Sequence, residues 1–322
     1  MYFLGFNWNP DATLFTIGFI QIKYYNLFWI LTFVVGLYLM KHIFRNENKS
    51  MEKLDSLFVY CAVSIMLGAR LGHVFFYDWD YYKNHLLEIL LPIRENTEAI
   101  LFGFIKGYEF TGFAGLASHG ATIAAFIALF LFSRKEKDIS FLWILDRVAV
   151  VSAIGTVFIR LGNFFNSEIN GKIVDSSFAL ATRFIRNSDD MPAYKAMQLT
   201  KELNPSAAYK AIEKKAEFAQ ILQAIPYRHP VQLYEAFFYL LLFGLLWYTY
   251  WSTKRSEKQG FLFGLFMLGL WSIRFVAEFF KNSQGGFEET WGVFSTGQWL
   301  SIPMILVGLY FILRPVKQAS SS

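Results

Sequence analysis

Long apolar stretches fill most of this chain and are separated by short polar connections. About 20 apolar residues are needed to cross the hydrocarbon core of a bilayer, and stretches of nearly that length recur along the sequence. The pattern predicts an all-α polytopic membrane protein with about seven transmembrane helices. The predicted spans are residues 25–41, 57–77, 111–133, 139–160, 232–251, 260–280 and 297–313.

Two connections are longer than simple turns. Residues 78–110 include an apolar run at 86–91 before a proline, which predicts an external interfacial segment with a short helix. Residues 172–228 are more polar, and Asn204 followed by Pro205 is typical of a helix start. We expect 172–228 to form a small external (periplasmic) subdomain that carries one solvent-exposed helix, extending through Gln223.

Composition and charge agree with a membrane protein. The chain is 55% hydrophobic and only 17% charged, which is unlike an ordinary soluble domain. Its net charge of +5 does not indicate a nucleic-acid partner, because lysines and arginines concentrate in the connections after spans one, three, five and seven. The positive-inside rule then places the N-terminus outside and the C-terminus in the cytoplasm. The basic residues are Arg45, Lys49, Lys53, Arg134, Lys135, Lys137, Lys254, Arg255, Lys258, Arg314 and Lys317.

Several chemistries are disfavoured by the residue types. Cys61 is the only cysteine and lies within a predicted span, so we expect it to pack rather than react. The five histidines show no metal-ligand spacing, and we expect no metal. The last predicted span contains no lysine, which a retinal protein needs for its Schiff base.

A polar cluster ends the fourth predicted span. Arg160, Asn163, Phe164 and Ser167 are spaced so that they share one face if the helix continues through them. A guanidinium fork and an amide at the outer membrane edge suit a lipid phosphate. The structural alternative is an arginine that snorkels to the interface beside a capping asparagine. Arginine at mid-membrane costs about 2.5–3.5 kcal/mol, so we favour function for the whole cluster.

Two further clusters lie at the fifth and sixth predicted spans. His229, Gln232 and Glu235 step by three residues and can line one helix face, although capping of the helix N-terminus is the structural alternative. Arg274 and Glu278 are four residues apart and can form an ion pair. Alternatively, Glu278 aims the guanidinium at an anionic ligand.

The third predicted span contains His119 among small residues that leave space beside it. A lone buried histidine is more often structural than catalytic, and both interpretations stay open. Arg70 and His73 lie in the second span, and Tyr25 opens the first.

Taken in chain order, these clusters resemble the motifs of the prolipoprotein diacylglyceryl transferase family. The family's patterns are close to G-A-R-L-G, G-R-x-G-N-F-x-N-x-E-x-x-G, R-H-P-x-Q-L-Y-E, R-F-x-x-E-F-F and G-Q-x-L-S-I-P. Departures include Ile159 in place of the first glycine of the second pattern and Ala121 after His119-Gly120. The matching positions are residues 68–72; Arg160, Gly162, Asn163, Phe164, Asn166, Glu168 and Gly171; residues 228–235; Arg274, Phe275, Glu278, Phe279 and Phe280; and Gly297, Gln298, Leu300, Ser301, Ile302 and Pro303.

The resemblance implies a function. The family transfers the diacylglyceryl group of phosphatidylglycerol to the lipobox cysteine thiol of a preprolipoprotein, which forms a thioether and releases glycerol phosphate. The phosphate then needs positive charge around it, for which we expect Arg160 and Arg274. Glu168 and Glu278 would orient the arginines. Either His119 accepts the thiol proton, or the arginines lower the pKa of the thiol directly.

The whole chain, 1–322, is then one membrane-embedded transferase domain in the bacterial inner membrane. We expect phosphatidylglycerol, the signal-peptide and lipobox segment, and the membrane as partners, with no cofactor and no nucleic acid. A transporter or lipid-binding scaffold without catalysis is the alternative. The expected catalytic residues are His119, Arg160 and Arg274, and the expected substrate-binding residues are Tyr25, Arg70, Asn163, Asn166, Glu168, Gly171, His229, Gln232, Glu235 and Glu278.

Overall fold

Long helices dominate the structure, a computed structural model that describes residues 5–11, 13–17, 20–101, 103–111, 115–282 and 294–315. Among these residues, six helical stretches are long and apolar enough to cross a membrane. This confirms the prediction of a polytopic helical membrane protein. The six are α1 (Tyr24–Asn46), α2 (Met51–Phe76), α6 (Phe141–Phe165), α10 (Val231–Ser252), α11 with the 3-10 turn that continues it (Phe261–Phe280), and α12 (Thr296–Leu313).

The third predicted span, 111–133, corresponds to α5 (Ser118–Lys135), which is not one of the six. This helix begins with the polar residues Ser118 and His119 and ends with Arg134 and Lys135. Its apolar centre is therefore short, and a total of seven spans stays a prediction.

The chain divides into two compact units, whose boundaries fall within α1 and α6. The first unit comprises Met1–Met40 and Asp146–Ser322, and the second comprises Lys41–Leu145. In the first unit, apolar side chains of α6 and α10 form a buried cluster onto which α1 and α11 also pack. Gly264 of α11 and Gly308 of α12 let those two helices approach closely, because a methyl group at either position would meet the backbone of the other helix.

The 172–228 segment contains three helices rather than one. They are α7 (Ala193–Thr200), α8 (Pro205–Lys214) and α9 (Ala219–Ala224). Asn204 caps α8 as expected, since its side chain accepts a hydrogen bond from the backbone N–H of Ala207. The expectation of one exposed helix through Gln223 is wrong. Lys215 adopts an extended backbone that ends α8, and Tyr209 and Ile212 are buried in a small hydrophobic core of the segment.

The N-terminal residues of the first unit form strands. β1 (Phe6–Trp8) pairs in parallel with β6 (Thr182–Phe184), and β2 (Thr13–Ile17) pairs antiparallel with β3 (Ile20–Lys23). The indole N–H of Trp8 donates to the carbonyl of Phe164, 2.9 Å away. Strand β1 is therefore hydrogen-bonded to the end of α6, the helix that carries the arginine cluster.

The second unit contains α2, α5 and the residues between them. The short helix expected at 86–91 is present as α4 (Leu87–Leu90), preceded by α3 (Trp79–Tyr82). A β-hairpin of β4 (Ile93–Leu101) and β5 (Ile105–Phe110) follows. Gly103 adopts a φ of +81° at the hairpin turn, and a glycine between two such runs is a hairpin signal that the sequence interpretation missed.

Candidate active site

The guanidinium of Arg160 lies near the end of α6 and faces Glu235 of α10. Arg160 Nε is 3.0 Å from Glu235 Oε2, and the carboxylate is fully buried. Tyr239, one turn further along α10, donates its hydroxyl to Glu235 Oε1 at 3.4 Å. A buried carboxylate of this kind needs a permanent positive partner, because its desolvation is otherwise costly. Glu235, and not Glu168, therefore pairs with Arg160.

The chain leaves helical geometry just beyond Arg160. The helix α6 ends at Phe165, and Ser167 and Ile169 have φ values of +55° and +59°. The expectation that Ser167 continues the helix face of Arg160 is therefore wrong. The turn brings the exposed Glu168 back toward the helix, where Glu168 Oε1 accepts from Asn163 Nδ2 at 2.8 Å. Asn163 in turn accepts from Arg160 through its Oδ1, at 3.4 Å.

Arg274 and Glu278 of the sixth predicted span form only a long ion pair, with 3.9 Å between Nη2 and Oε1. Glu278 has closer partners, namely Lys281 Nζ at 3.0 Å and Ser295 Oγ at 3.2 Å. The Arg274 Nε–H is buried and has no hydrogen-bond partner among the residues that the structure describes. A mutual ion pair thus does not account for Arg274, which keeps a free donor.

Lys281 connects the two carboxylates. Its ammonium lies 3.2 Å from Glu235 Oε1 and 3.0 Å from Glu278 Oε1, and its side chain is 6% exposed. Arg160, Glu235, Lys281, Glu278 and Arg274 consequently form a continuous chain of ion pairs. The sequence interpretation missed Lys281, although a lysine three residues after Glu278 at the end of an apolar span is a usable signal.

Two side-chain amides, those of Gln232 and Asn170, are held in place beside this chain of ion pairs. Gln232 Nε2 donates to Asn170 Oδ1 at 2.8 Å and to the carbonyl of Glu168. Asn170 Nδ2 donates to the carbonyl of Ser167. These bonds determine which way the amides point, so that Gln232 Oε1 must be an acceptor. It is buried without a partner within the described part of the chain, as is Asn166 Oδ1.

Gly171 and Arg228 hold the segment that follows this turn in place. The Gly171 N–H donates to the carbonyl of His229, and a methyl group at Gly171 would lie 2.6 Å from His229. Arg228 donates to the Gly171 carbonyl at 3.1 Å and to both carboxylate oxygens of Asp190. Gly171 therefore allows a close approach of the backbone to His229. Asp190, the ion-pair partner of Arg228, was not indicated by any sequence motif.

His229 precedes α10 and does not share a helix face with Gln232 and Glu235, because that helix begins at Val231. Its Nδ1 lies 3.0 Å from the hydroxyl of Tyr234, and the rings of Phe178 and Phe280 pack against it. Burial lowers the pKa of His229 below its usual value. The ring is therefore a neutral, packed group at neutral pH.

Tyr25 belongs to the first unit and lies against the arginine helix. A methyl group at Gly162 would come within 2.8 Å of the Tyr25 ring, so the small residue lets the tyrosine approach α6 two residues from Arg160.

Arg70 and His119 belong to the second unit. Arg70 is buried, donates to the carbonyls of Ile89 and Glu88, and stacks over Tyr82 at 4.8 Å. These contacts hold the α4 segment against α2. His119 lies in the first turn of α5, and its side chain is exposed. The space that Gly120 leaves is occupied by the backbone of Gly68 and Gly72 of α2.

Comparison with known proteins identifies the family. Residues 12–314 match the family model described as prolipoprotein diacylglyceryl transferase. Proteins named phosphatidylglycerol--prolipoprotein diacylglyceryl transferase are similar over nearly their whole length. The one from Bacteroides fragilis is 36% identical over 98% of both chains, and the one from Chloroherpeton thalassium is 36% identical over 97% of this chain and 95% of its own. That of Tolumonas auensis is 35% identical over 97% of this chain and 98% of its own. The chain belongs to the prolipoprotein diacylglyceryl transferase family.

Proposed function

We propose that this membrane-embedded protein transfers the diacylglyceryl group of phosphatidylglycerol to the lipobox cysteine thiol of preprolipoproteins. Family membership and the names of the relatives support the reaction. The structural observation that carries the assignment is the buried ion-pair chain from Arg160 to Arg274, with an unsatisfied donor at Arg274 Nε. Buried polar groups are nearly always hydrogen-bonded, so this donor marks a position for an anionic acceptor.

The reaction forms a carbon–sulfur bond and breaks a carbon–oxygen bond. The cysteine sulfur attacks the glyceryl carbon that bears the phosphate ester oxygen, and the bonding electrons leave on that oxygen. The lipid's phosphodiester becomes the monoester glycerol phosphate, which gains negative charge, and the thiol proton must go to an acceptor. Stabilisation of the developing phosphate charge is therefore the main demand on the protein.

The charge of the ion-pair chain fits this demand. Its cations Arg160, Arg274 and Lys281 outnumber its carboxylates Glu235 and Glu278 by one. A phosphodiester carries one negative charge, which this excess balances, and the monoester product carries more. Because the carboxylates hold the cations in place before the lipid arrives, little reorganisation accompanies the reaction. Arg160 and Arg274 are the phosphate clamp in this proposal, and Glu235 and Lys281 position it.

The free amide oxygens suit the headgroup. Gln232 Oε1 and Asn166 Oδ1 are acceptors without partners among the described residues, and the glycerol headgroup of phosphatidylglycerol has two hydroxyl donors. Asn163, held between Arg160 and Glu168, would orient the headgroup oxygens from the other side. Tyr25, Glu168 and Gly171 form the wall of this headgroup site.

His119 is the proposed acceptor of the thiol proton. Its ring is exposed at the start of α5, and a general base must be accessible to the proton that it takes. We place the start of α5, the N-terminus and residues 172–228 on the outer side of the bacterial inner membrane. The lipobox segment would bind on that same side. The basic residues that follow α1, α5 and α10 support this orientation.

The direct test is mass spectrometry of a synthetic lipobox peptide incubated with purified protein and phosphatidylglycerol. The expected product is the peptide with a diacylglyceryl thioether on its cysteine, together with free glycerol phosphate. A serine-for-cysteine peptide is the matched control and should not be modified. Binding of phosphatidylglycerol without any thioether product would contradict the proposed catalysis and indicate a lipid-binding scaffold.

A further inference from the structure

A second histidine shares a cleft with His119. The cleft has a volume of about 260 Å³ in the second unit and is lined by His73, Tyr77, Leu116, Ala117, Ser118 and His119. Glycine packing explains why the two histidines converge there. A methyl group at Gly72 of α2 would lie 2.6 Å from the Cα of Gly120 of α5, so the helix backbones touch at this point. His73 and His119 directly adjoin these two glycines in the sequence.

His73 is held by a carboxylate. Its Nε2 lies 2.8 Å from Asp78 Oδ2. A carboxylate can only accept, so Nε2 carries the proton, and Nδ1 of the neutral ring is left as a proton acceptor. An imidazole oriented by a carboxylate is the arrangement that activates general bases in many hydrolases. The structure gives the His119 ring no such partner among the described residues.

The surroundings of His73 fix its ring. Tyr77 stacks on it at a centroid distance of 5.9 Å, and Tyr82 meets it edge-on at 6.5 Å. Gly115 covers one edge with a φ of +77°, and a methyl group there would lie 2.2 Å from the ring. The titratable and charged groups that face the ring are thus Asp78, Tyr77, Tyr82 and, across the cleft, His119. Asp78 is half exposed, which gives the pair contact with solvent.

We propose that His73, oriented by Asp78, is the proton-accepting partner of His119, an inference that rests on the transferase function proposed above. His119 takes the proton from the thiol as the carbon–sulfur bond forms and the carbon–oxygen electrons leave on the phosphate. The proton then passes through cleft water to Nδ1 of His73 and on to solvent, while the Asp78 carboxylate stabilises the imidazolium. His119 is thereby reset as a neutral base for the next turnover. His73 acts through His119 and is a positioning and relay residue rather than a group that touches substrate.

The test is a double-mutant cycle of transfer rates with His73→Gln, His119→Gln and the double variant, measured from pH 6 to pH 9. Residues that act as one unit are strongly non-additive. We expect each single variant to lose about 10²–10⁴-fold at pH 7, the range for a general base, and the double variant to lose little more. Each defect should shrink as the pH rises, because the thiol then ionises without help.

The carboxylate is tested in parallel. Asp78→Asn should reproduce most of the His73→Gln defect and its pH profile, and Asp78→Glu should restore much of the rate. Asp80→Asn is the matched control, since Asp80 is almost fully exposed and its carboxylate pairs with Lys83. Size-exclusion elution and phosphatidylglycerol binding show which variants remain folded.

Two results would overturn the proposal. One is a His73→Gln enzyme with the wild-type rate and pH profile. The other is a double variant whose loss equals the product of the single losses, because the two histidines would then serve independent steps. A wild-type protein that forms no thioether would instead refute the transferase function itself.

Discussion

The arginine clamp is tested most cleanly at Arg274, by replacement with lysine. Lysine keeps the positive charge but lacks the Nε–H donor and the planar fork that reach a phosphate bidentately. Arg274 is suitable because its ion pair with Glu278 is long, at 3.9 Å, and its side chain is about one third exposed. The substitution therefore removes little from the fold. Arg160 is less suitable, since its replacement disturbs the fully buried Glu235 carboxylate, and breaking a buried pair costs about 3–5 kcal/mol of stability.

The size of the effect follows from the lost hydrogen bond. A hydrogen bond to a charged group contributes about 1.5–3 kcal/mol, which corresponds to about 10- to 150-fold in rate when the contact tightens in the transition state. The assay is diacylglyceryl transfer to a lipobox peptide, with kcat and KM for phosphatidylglycerol determined separately. Arg255→Lys, at an exposed arginine in the turn after α10, is the control and should retain full activity. An Arg274→Lys enzyme within twofold of wild type would show that Arg274 is only a counter-ion for Glu278, and the clamp would have to be abandoned.

Four further predictions concern topology, the cysteine and two histidines. In a Cys61→Ala background, a cysteine at Leu203 should react with a membrane-impermeant thiol reagent from outside and one at Glu257 should not; the reverse pattern would invert the proposed orientation. Cys61→Ala itself should keep most transferase activity and change stability by no more than about 1–2 kcal/mol, and a folded but inactive variant would instead reveal an enzyme-bound thiol. His119→Gln should bind phosphatidylglycerol normally and transfer about 10²–10⁴-fold more slowly at pH 7, whereas a pH-independent defect with weaker lipid binding would make His119 a headgroup ligand. Because burial lowers the folded-state pKa of His229, the unfolded chain binds the proton more readily, so stability should fall as the pH drops below about 6.5. The thermal unfolding temperature of His229→Gln should then depend less on pH below about 6.5 than that of the wild type. An equal pH dependence in both proteins would show that this ring contributes nothing.

Local signals in the sequence were enough for the helices and for some of their ends. Asn204 before Pro205 predicts the start of α8 because capping and the proline ring act within one turn. The same local logic failed at Lys215, where an extended backbone ends the helix without a glycine or proline. It also missed the β4–β5 hairpin, because strand pairing depends on a second segment and the alternation in both strands is weak.

The partners of the polar side chains were harder to predict. Arg274 and Glu278 have ideal helical spacing, yet Glu278 lies closer to Lys281 and Ser295. Glu168, assigned to orient an arginine, instead binds Asn163, since the turn after Phe165 redirects the chain. Spacing along one helix states only which pairs are possible, and the pairs that form depend on what the neighbouring helices present.

The sequence by itself determined that this is a polytopic helical protein of the prolipoprotein diacylglyceryl transferase family, and it identified most of the charged residues of the site. The reason is that a bilayer penalises every polar residue that it contains, so apolar length and rare charges are visible without a fold. Only the tertiary structure decided that Glu235 pairs with Arg160 and that Lys281 joins the carboxylates of Glu235 and Glu278. It also decided that His73, which pairs with Asp78, shares a cleft with His119. These contacts join different elements and depend on close helix packing, such as that at Gly72 and Gly120, which no local pattern specifies.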